Sequence, residues 1–204
     1  MCTCVAYYNG GSLLGRNLDV DMNYGEKIII TPRTHTLTSA QGSKIGSGAA
    51  IIGIGTLIDG YPMYFDATNE YGLAMAALNF VGNAKYKKST GAPNEVAVYE
   101  LIPYILRNAK NTAEARCILE KIIITDTPPN DKTHVAELHW TICDKSGSVI
   151  AVESVTDGVK IYDNPIGVMT NNPPFPFHLD NLSGYMNITS AEPHNRFSNK
   201  IELK

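Results

Sequence analysis

The 204-residue sequence lacks the features that mark several common protein classes. Its net charge of −3 provides no basic field for nucleic acid or for an acidic membrane surface. Apolar runs stay shorter than the roughly 18 residues of a membrane span, and no charged-then-apolar leader opens the chain. We therefore expect a cytoplasmic protein that binds neither nucleic acid nor membrane.

Metal-ligand spacing is also absent. The four cysteines and five histidines form no paired motif, and Cys2-Thr3-Cys4 is too tight for a zinc knuckle. We expect Cys4, Cys117 and Cys143 to be buried free thiols in a reducing compartment. The sequence thus predicts no metal and no cofactor.

Hydrophobic residues make up 44% of the chain, which is enough for one domain with a sizeable core over residues 1–204. The pattern predicts strands, then a helical pair, then strands again, which is typical of an α+β fold. Helices are predicted at residues 94–110, kinked or split by Pro103, and from a cap at Thr112 to about residue 122. An irregular tail is predicted after residue 174. The predicted strands cover residues 5–8, 12–18, 27–31, 49–58, 61–67, 72–79, 135–143, 149–155, 159–162 and 166–170.

Cys2 stands directly after Met1, and cysteine is small enough for Met1 to be removed by N-terminal processing. Cys2 would then carry both a thiol, which attacks as its thiolate, and a free α-amine with a reference pKa of about 7.7–8.0. A nucleophile activated by its own terminal amine is a recognised catalytic arrangement. The alternative for Cys2 is an inert small hydrophobic residue.

Asn9-Gly10-Gly11 predicts a hairpin that returns Arg16 and Asp19 to the neighbourhood of Cys2. A three-residue loop would place Arg16 on the same face as Cys2, and a two-residue loop would place it on the opposite face. Arg16 could favour the thiolate, and Asp19 could bind the new terminal ammonium. The alternative is that Arg16 and Asp19 form a solvated ion pair.

Short motifs then run along nearly the whole chain. They are Met1-Cys2-Thr3, Gly15-Arg16-Asn17-Leu18-Asp19, Ile30-Thr31-Pro32-Arg33, Tyr61-Pro62-Met63-Tyr64-Phe65-Asp66, Asn69-Glu70-Tyr71-Gly72-Leu73, Leu78-Asn79-Phe80, Leu138-His139-Trp140, Val152-Glu153 and Ile166-Gly167-Val168-Met169-Thr170-Asn171-Asn172-Pro173. In identity and order they resemble choloylglycine hydrolases, or bile salt hydrolases. These belong with penicillin V acylases to the N-terminal-nucleophile hydrolases. The resemblance implies a four-layer αββα sandwich.

The resemblance also implies roles for five residues. Cys2 would attack the amide that joins a bile acid to glycine or taurine, forming a thioester that water cleaves. Arg16 would lie beside the thiol, Asp19 would orient the amine, and Asn79 and Asn171 would surround the developing oxyanion. Without the resemblance, both asparagines would be ordinary turn residues at strand ends.

The acyl group would need an apolar slot, and the matching positions are Leu18, Ile58, Phe65 and Leu138. Each of these residues fits a hydrophobic core equally well. Asn79 stands where penicillin V acylases tend to carry an aromatic residue, which favours conjugated bile salts over other N-acyl amides as substrates.

Family members continue well past the position of Lys204, so the resemblance implies a sandwich that is incomplete at the C-terminus. Arg196 is the only late arginine, and its flanks do not match the family's second active-site arginine. Uncovered sheet edges and faces would favour a homo-oligomer. Three hypotheses remain open: a bile salt amidase, a penicillin V acylase-like amidase, and an inactive truncated chain that serves in assembly.

Overall fold

The computed structural model describes residues 1–42 and 44–191, with strands, three α-helices and two single 3₁₀ turns at Val98–Glu100 and Ser183–Tyr185. The helices are α1 (Leu101–Asn108), α2 (Thr112–Leu119) and α3 (Phe175–Leu182). The strands are β1 (Thr3–Tyr8), β2 (Ser12–Asn17), β3 (Lys27–Thr31), β4 (Leu37–Thr38), β5 (Lys44–Ile45), β6 (Ile51–Ile58), β7 (Tyr61–Asn69), β8 (Ala74–Asn79), β9 (Glu95–Ala97), β10 (Ile123–Thr125), β11 (Leu138–Cys143), β12 (Val149–Val155), β13 (Gly158–Asp163) and β14 (Val168–Met169).

Two antiparallel sheets are stacked face to face. The large sheet has seven strands in the order β13-β12-β11-β8-β7-β6-β3, and the small sheet has the order β14-β1-β2. Helix α1 packs across β6, β7 and β8 on the far face of the large sheet, and α2 packs against α1. The described residues therefore form a helical layer followed by two sheets.

Strand β8 shows why the centre of the large sheet is apolar throughout. Met75 and Ala77 face the core beneath the helices, whereas Ala76 and Leu78 face the core between the sheets. Because both faces of this strand are covered, it reads as a continuous apolar run rather than an alternating one. Cys2, Cys4 and Met169 complete the core between the sheets from the small sheet.

The predicted α+β class is confirmed. Of the four layers implied by the resemblance, the described residues supply one helical layer and both sheets. The outer face of the small sheet is solvent-exposed within this part of the chain, where Val5, Tyr7 and Leu13 are 41%, 58% and 67% exposed. Arg196 lies outside the described residues.

The predicted helix at 94–110 begins later than expected. Its first residues form β9, which pairs in parallel with β10. Pro103 then falls in the first turn of α1, where a backbone N–H has no intrahelical partner, so it neither kinks nor splits the helix. Asn111, rather than Thr112, caps α2, because its side chain accepts a hydrogen bond from the backbone N–H of Glu114.

Two further expectations were wrong. Cys117 is exposed, unlike Cys4 and Cys143, because its position on α2 faces away from the helix–sheet core. The segment after residue 174 was predicted to be irregular, but it begins with α3. Pro174 and Pro176 stand at the start of this helix, where proline is compatible with helical geometry.

Candidate active site

The β1–β2 hairpin determines which side chains meet at the N-terminus. Its loop has three residues, because Tyr8 pairs with Ser12, and Gly10 occupies the left-handed region at φ 68°. Cys4 therefore pairs with Arg16 across the strands, and Arg16 points to the same side of the sheet as Cys2 and Cys4. This is the register that the three-residue loop predicts.

Cys2 lies buried at the end of β1, with 2% of its surface exposed. The Nη2 atom of Arg16 is 3.9 Å from its Sγ atom. The backbone N–H of Cys2 donates to Oδ1 of Asn171 at 2.7 Å. Cys2 thus has a guanidinium beside its sulfur and a side-chain amide on its backbone nitrogen.

Arg16 is itself fixed by two acceptors. Its Nη1 atom lies 3.3 Å from Oδ2 of Asp66, and its Nη2 atom donates to the carbonyl of Ala77 at 2.8 Å. Burial raises the pKa of Asp66, and the attraction of Arg16 opposes that rise only in part. Asp66 was not among the predicted site residues. Its signal in the sequence is a carboxylate within an otherwise apolar stretch of β7.

With Met1 in place, Asp19 binds the terminal amino group of the chain. The Met1 ammonium lies 2.5 Å from Oδ2 of Asp19, and this hydrogen bond raises the pKa of the amine. Asp19 thus holds the nitrogen of Met1, whereas the nitrogen of Cys2 is held by Asn171. Met1 is 85% exposed, so its side chain packs into neither core.

The side chain of Asn171 connects the N-terminus of the chain to the end of β8. While its Oδ1 accepts from Cys2, its Nδ2 donates to the backbone carbonyl of Asn79 at 3.0 Å. Both polar atoms of the Asn171 side chain are therefore engaged, and the amide holds the N-terminus against the end of β8. Asn79 lines the cavity that Cys2 also lines.

That cavity has a volume of about 560 Å³, within the usual range for small-molecule sites. Its wall includes all four residues predicted for an acyl slot: Leu18, Ile58, Phe65 and Leu138. Sequence reasoning missed other wall residues, because distant segments supply them: Met22, Tyr24, Val98, Tyr99, Ile102 and Trp140. Cys2 and Arg16 thus lie beside a largely apolar cavity.

Within residues 1–42 and 44–191, no three His, Cys, Asp or Glu side chains are grouped to hold a metal ion. That same part contains no helix with both the length and the apolar character needed to cross a bilayer.

Comparison with known proteins assigns the chain to a class. The sequence pattern of the linear amide C-N hydrolases, choloylglycine hydrolase family, matches residues 2–204. The chain belongs to the choloylglycine hydrolase family.

Characterised relatives and solved structures agree with this assignment. The chain is 38% identical over 203 residues to the bile salt hydrolase/transferase of Lactiplantibacillus plantarum, covering 100% of this chain and 62% of the relative. It matches the C2A mutant of the conjugated bile acid hydrolase from Clostridium perfringens with a TM-score of 0.88 and 31% identity, over 95% of this chain and 60% of that one.

The penicillin V acylase of Agrobacterium tumefaciens matches with a TM-score of 0.77 and 25% identity, over 92% of this chain and 58% of that one. The chain thus spans about three fifths of the length of the relatives it matches.

Proposed function

We propose that this chain carries the catalytic centre of an amidase that cleaves glycine- or taurine-conjugated bile salts, with Cys2 as the nucleophile. The observation that carries the proposal is the placement of the Cys2 sulfur, 3.9 Å from the Arg16 guanidinium and beside an apolar cavity of about 560 Å³. Membership of the choloylglycine hydrolase family and the similarity to bile salt and conjugated bile acid hydrolases support it.

The chemistry begins once Met1 has been removed and the nitrogen of Cys2 is an amine. The amine accepts the thiol proton while sulfur attacks the substrate carbonyl. The carbon–nitrogen bond then breaks, and the leaving nitrogen takes that proton and departs as glycine or taurine. Water adds to the remaining thioester, releasing the bile acid and restoring the thiol. No cofactor enters this sequence.

The other residues of the site have separate roles. Arg16 stabilises the thiolate, and the side-chain amide of Asn79 at the cavity wall donates to the developing oxyanion. Asn171 holds the Cys2 nitrogen, and Asp19 attracts the new ammonium in place of that of Met1. The steroid lies against Leu18, Ile58, Phe65 and Leu138.

A second candidate is cleavage of another N-acyl amide, such as penicillin V, in the same site. The structural match to a penicillin V acylase favours it, since the amide chemistry would be unchanged. Asn79, where those acylases tend to carry an aromatic residue, favours the bile salt.

The test is release of glycine from glycocholate by chain whose intact mass shows that Met1 is absent. We expect release by the native chain and none by C2S, because serine is a far weaker nucleophile without thiolate character. An N-terminal extension that cannot be cleaved should also abolish release, since the nitrogen of Cys2 would remain an amide. A C-terminal tag of equal length is the control for that extension.

Each outcome bears on the proposal. Turnover by C2S, or by a protein whose mass shows the N-terminal extension, would contradict the mechanism. Faster turnover of penicillin V than of glycocholate would favour the second candidate. No turnover of either substrate by the native chain would contradict activity in this chain and support the inactive alternative.

A further inference from the structure

A fully buried pair of ionisable side chains lies behind the candidate site, and the chemistry proposed above uses neither. His139 on β11 and Glu153 on β12 are cross-strand partners in the large sheet. Both side chains are 0% exposed, and Nδ1 of His139 is 3.2 Å from Oε1 of Glu153. Burying such a pair costs desolvation free energy, which a pair of apolar residues would avoid.

Each ring nitrogen of His139 has a hydrogen-bond partner. Nε2 of His139 lies 2.8 Å from the backbone carbonyl oxygen of Thr170, which can only accept. Nε2 therefore carries a hydrogen, and the other ring nitrogen, Nδ1, faces Oε1 of Glu153.

The pair holds both ends of the turn that carries Asn171. His139 binds the carbonyl of Thr170 before Asn171, and Glu153 Oε1 accepts the backbone N–H of Phe175 after it, at 2.8 Å. Between these two anchors, Asn171 accepts the Cys2 N–H and donates to the Asn79 carbonyl.

The same histidine also braces the end of β8. Its ring stacks on Phe80 with centroids 4.4 Å apart and planes 9° from parallel. Phe80 directly follows Asn79, so His139 touches a neighbour of each asparagine in the candidate site. This stacking also fixes the plane of the imidazole, and hence the direction of its Nε2–H.

We propose that His139 and Glu153 are positioning residues: they fix the turn at residues 170–175 so that Asn171 holds the nitrogen of Cys2. The kinetic consequence rests on the proposed function, whereas the positional claim does not. Neither residue contacts the reacting atoms, so the effect is transmitted through the backbone of Thr170 and Phe175.

The experiment compares H139Q with H139N in the full chain lacking Met1. A glutamine amide can reach the Thr170 carbonyl in place of Nε2, whereas the shorter asparagine amide reaches only toward Glu153. A misplacement of about 1 Å can cost about 10²-fold in rate. In H139N, we expect kcat for glycocholate to fall about 10–100-fold while KM changes less than about threefold. In H139Q, we expect kcat to stay within about fivefold of the wild-type value.

The matched control is D144A. Asp144 is also buried, and it accepts hydrogen bonds from the backbone N–H and the hydroxyl of Thr112, both at 2.9 Å, away from the turn. D144A should lower the unfolding midpoint while leaving kcat unchanged. This separates lost stability from lost positioning.

A second readout needs no turnover. The side-chain amide signal of Asn171 in a ¹H–¹⁵N NMR spectrum, assigned by its loss in N171A, should shift or broaden in H139N but not in H139Q or D144A. If no variant hydrolyses glycocholate, this signal still decides the positional claim. If H139N does not fold, E153Q should shift the same signal, because it replaces one carboxylate oxygen of the pair with an amide NH₂.

An unshifted Asn171 signal in H139N, or in E153Q where H139N does not fold, would overturn the proposal. Equal loss of kcat in H139Q and H139N would also overturn it, because the hydrogen bond to Thr170 would then not be the link.

Discussion

Arg16 contacts a sulfur, a carboxylate and a carbonyl with one guanidinium. These contacts explain how the Arg16 side chain can be only 6% exposed: its charge is compensated by Asp66 while its Nη2 atom faces Cys2 and Ala77. A lysine at position 16 could not make these three contacts, because a single ammonium lacks the planar fork that reaches all three groups. At the scale of single residues, Asp66 belongs to the candidate site as a partner of the Arg16 side chain.

The raised pKa of Asp66 gives a test of this balance. Because the folded chain binds the proton more tightly than the unfolded chain, Asp66 stabilises the fold most below its ordinary value of 3.8. That contribution is lost as the pH rises through the raised pKa. We therefore expect the unfolding free energy of wild type, minus that of D66N, to decrease from pH 3.5 toward pH 7.

Urea unfolding at several pH values measures this difference. The slope with pH is the readout, because burial of the carboxylate and its attraction to Arg16 both act on the ionised form and enter the slope with opposite signs. A difference that grows with pH would mean that Arg16, and not burial, governs the carboxylate.

At the scale of elements, Asn69 joins strand to helix. Its Nδ2 donates to the carbonyls of Leu106 and Ala109 at 2.8 and 2.7 Å, which are the unpaired groups at the end of α1. Its Oδ1 accepts the backbone N–H groups of Tyr71 and Leu73, both at 3.0 Å. One buried side chain thus holds α1 on the large sheet and closes the turn between β7 and β8.

Replacing Asn69 by alanine should destabilise the chain by about 3 kcal/mol, because buried donors and acceptors lose their partner. The matched control is N108A, since Asn108 is an exposed asparagine on α1 that donates to Tyr104. N108A should change stability by less than about 0.5 kcal/mol. Thermal and urea unfolding measure the stability change in each variant. Equal changes in N69A and N108A would contradict the assigned role of Asn69.

Elements with a simple pattern could be predicted, and those set by distant contacts could not. The apolar runs at 27–31 and 149–155 predicted β3 and β12 with their observed bounds. Residues 95–97 look helical in sequence, yet they are a strand because β10 lies beside them. The candidate site shows the same limit: the hairpin predicted that Arg16 meets Cys2, whereas no spacing could show that Asp66 and the His139–Glu153 pair lie behind them.

At the scale of the whole molecule, the candidate site lies where the two sheets meet. Cys2 and Arg16 come from the small sheet, while Asn79 ends β8 of the large sheet and Asn171 follows β14. The outer face of the small sheet, formed by Val5, Tyr7, Leu13 and Val168, is exposed and apolar. Such a face favours association between molecules.

We therefore expect the chain to form homo-oligomers through this face. Replacing Tyr7 and Leu13 together by lysine should reduce the mass measured by light scattering toward that of one chain, because like charges would meet across the contact. The reaction of Cys2 with a thiol reagent should not change, since both side chains point away from it. A wild-type chain that stays monomeric at all concentrations would contradict this expectation.

Strand β1 lies between β14 and β2 in the small sheet, and these two neighbouring strands are synthesised at very different times. β2 follows it immediately, whereas β14 is synthesised about 150 residues later. At about 5–20 residues per second, that is an interval of about 8–30 s. During this interval the N-terminal hairpin has one free edge and Asn171 does not yet exist. The order of synthesis thus leaves Met1 open to an aminopeptidase before Asn171 is present to hold the nitrogen of Cys2.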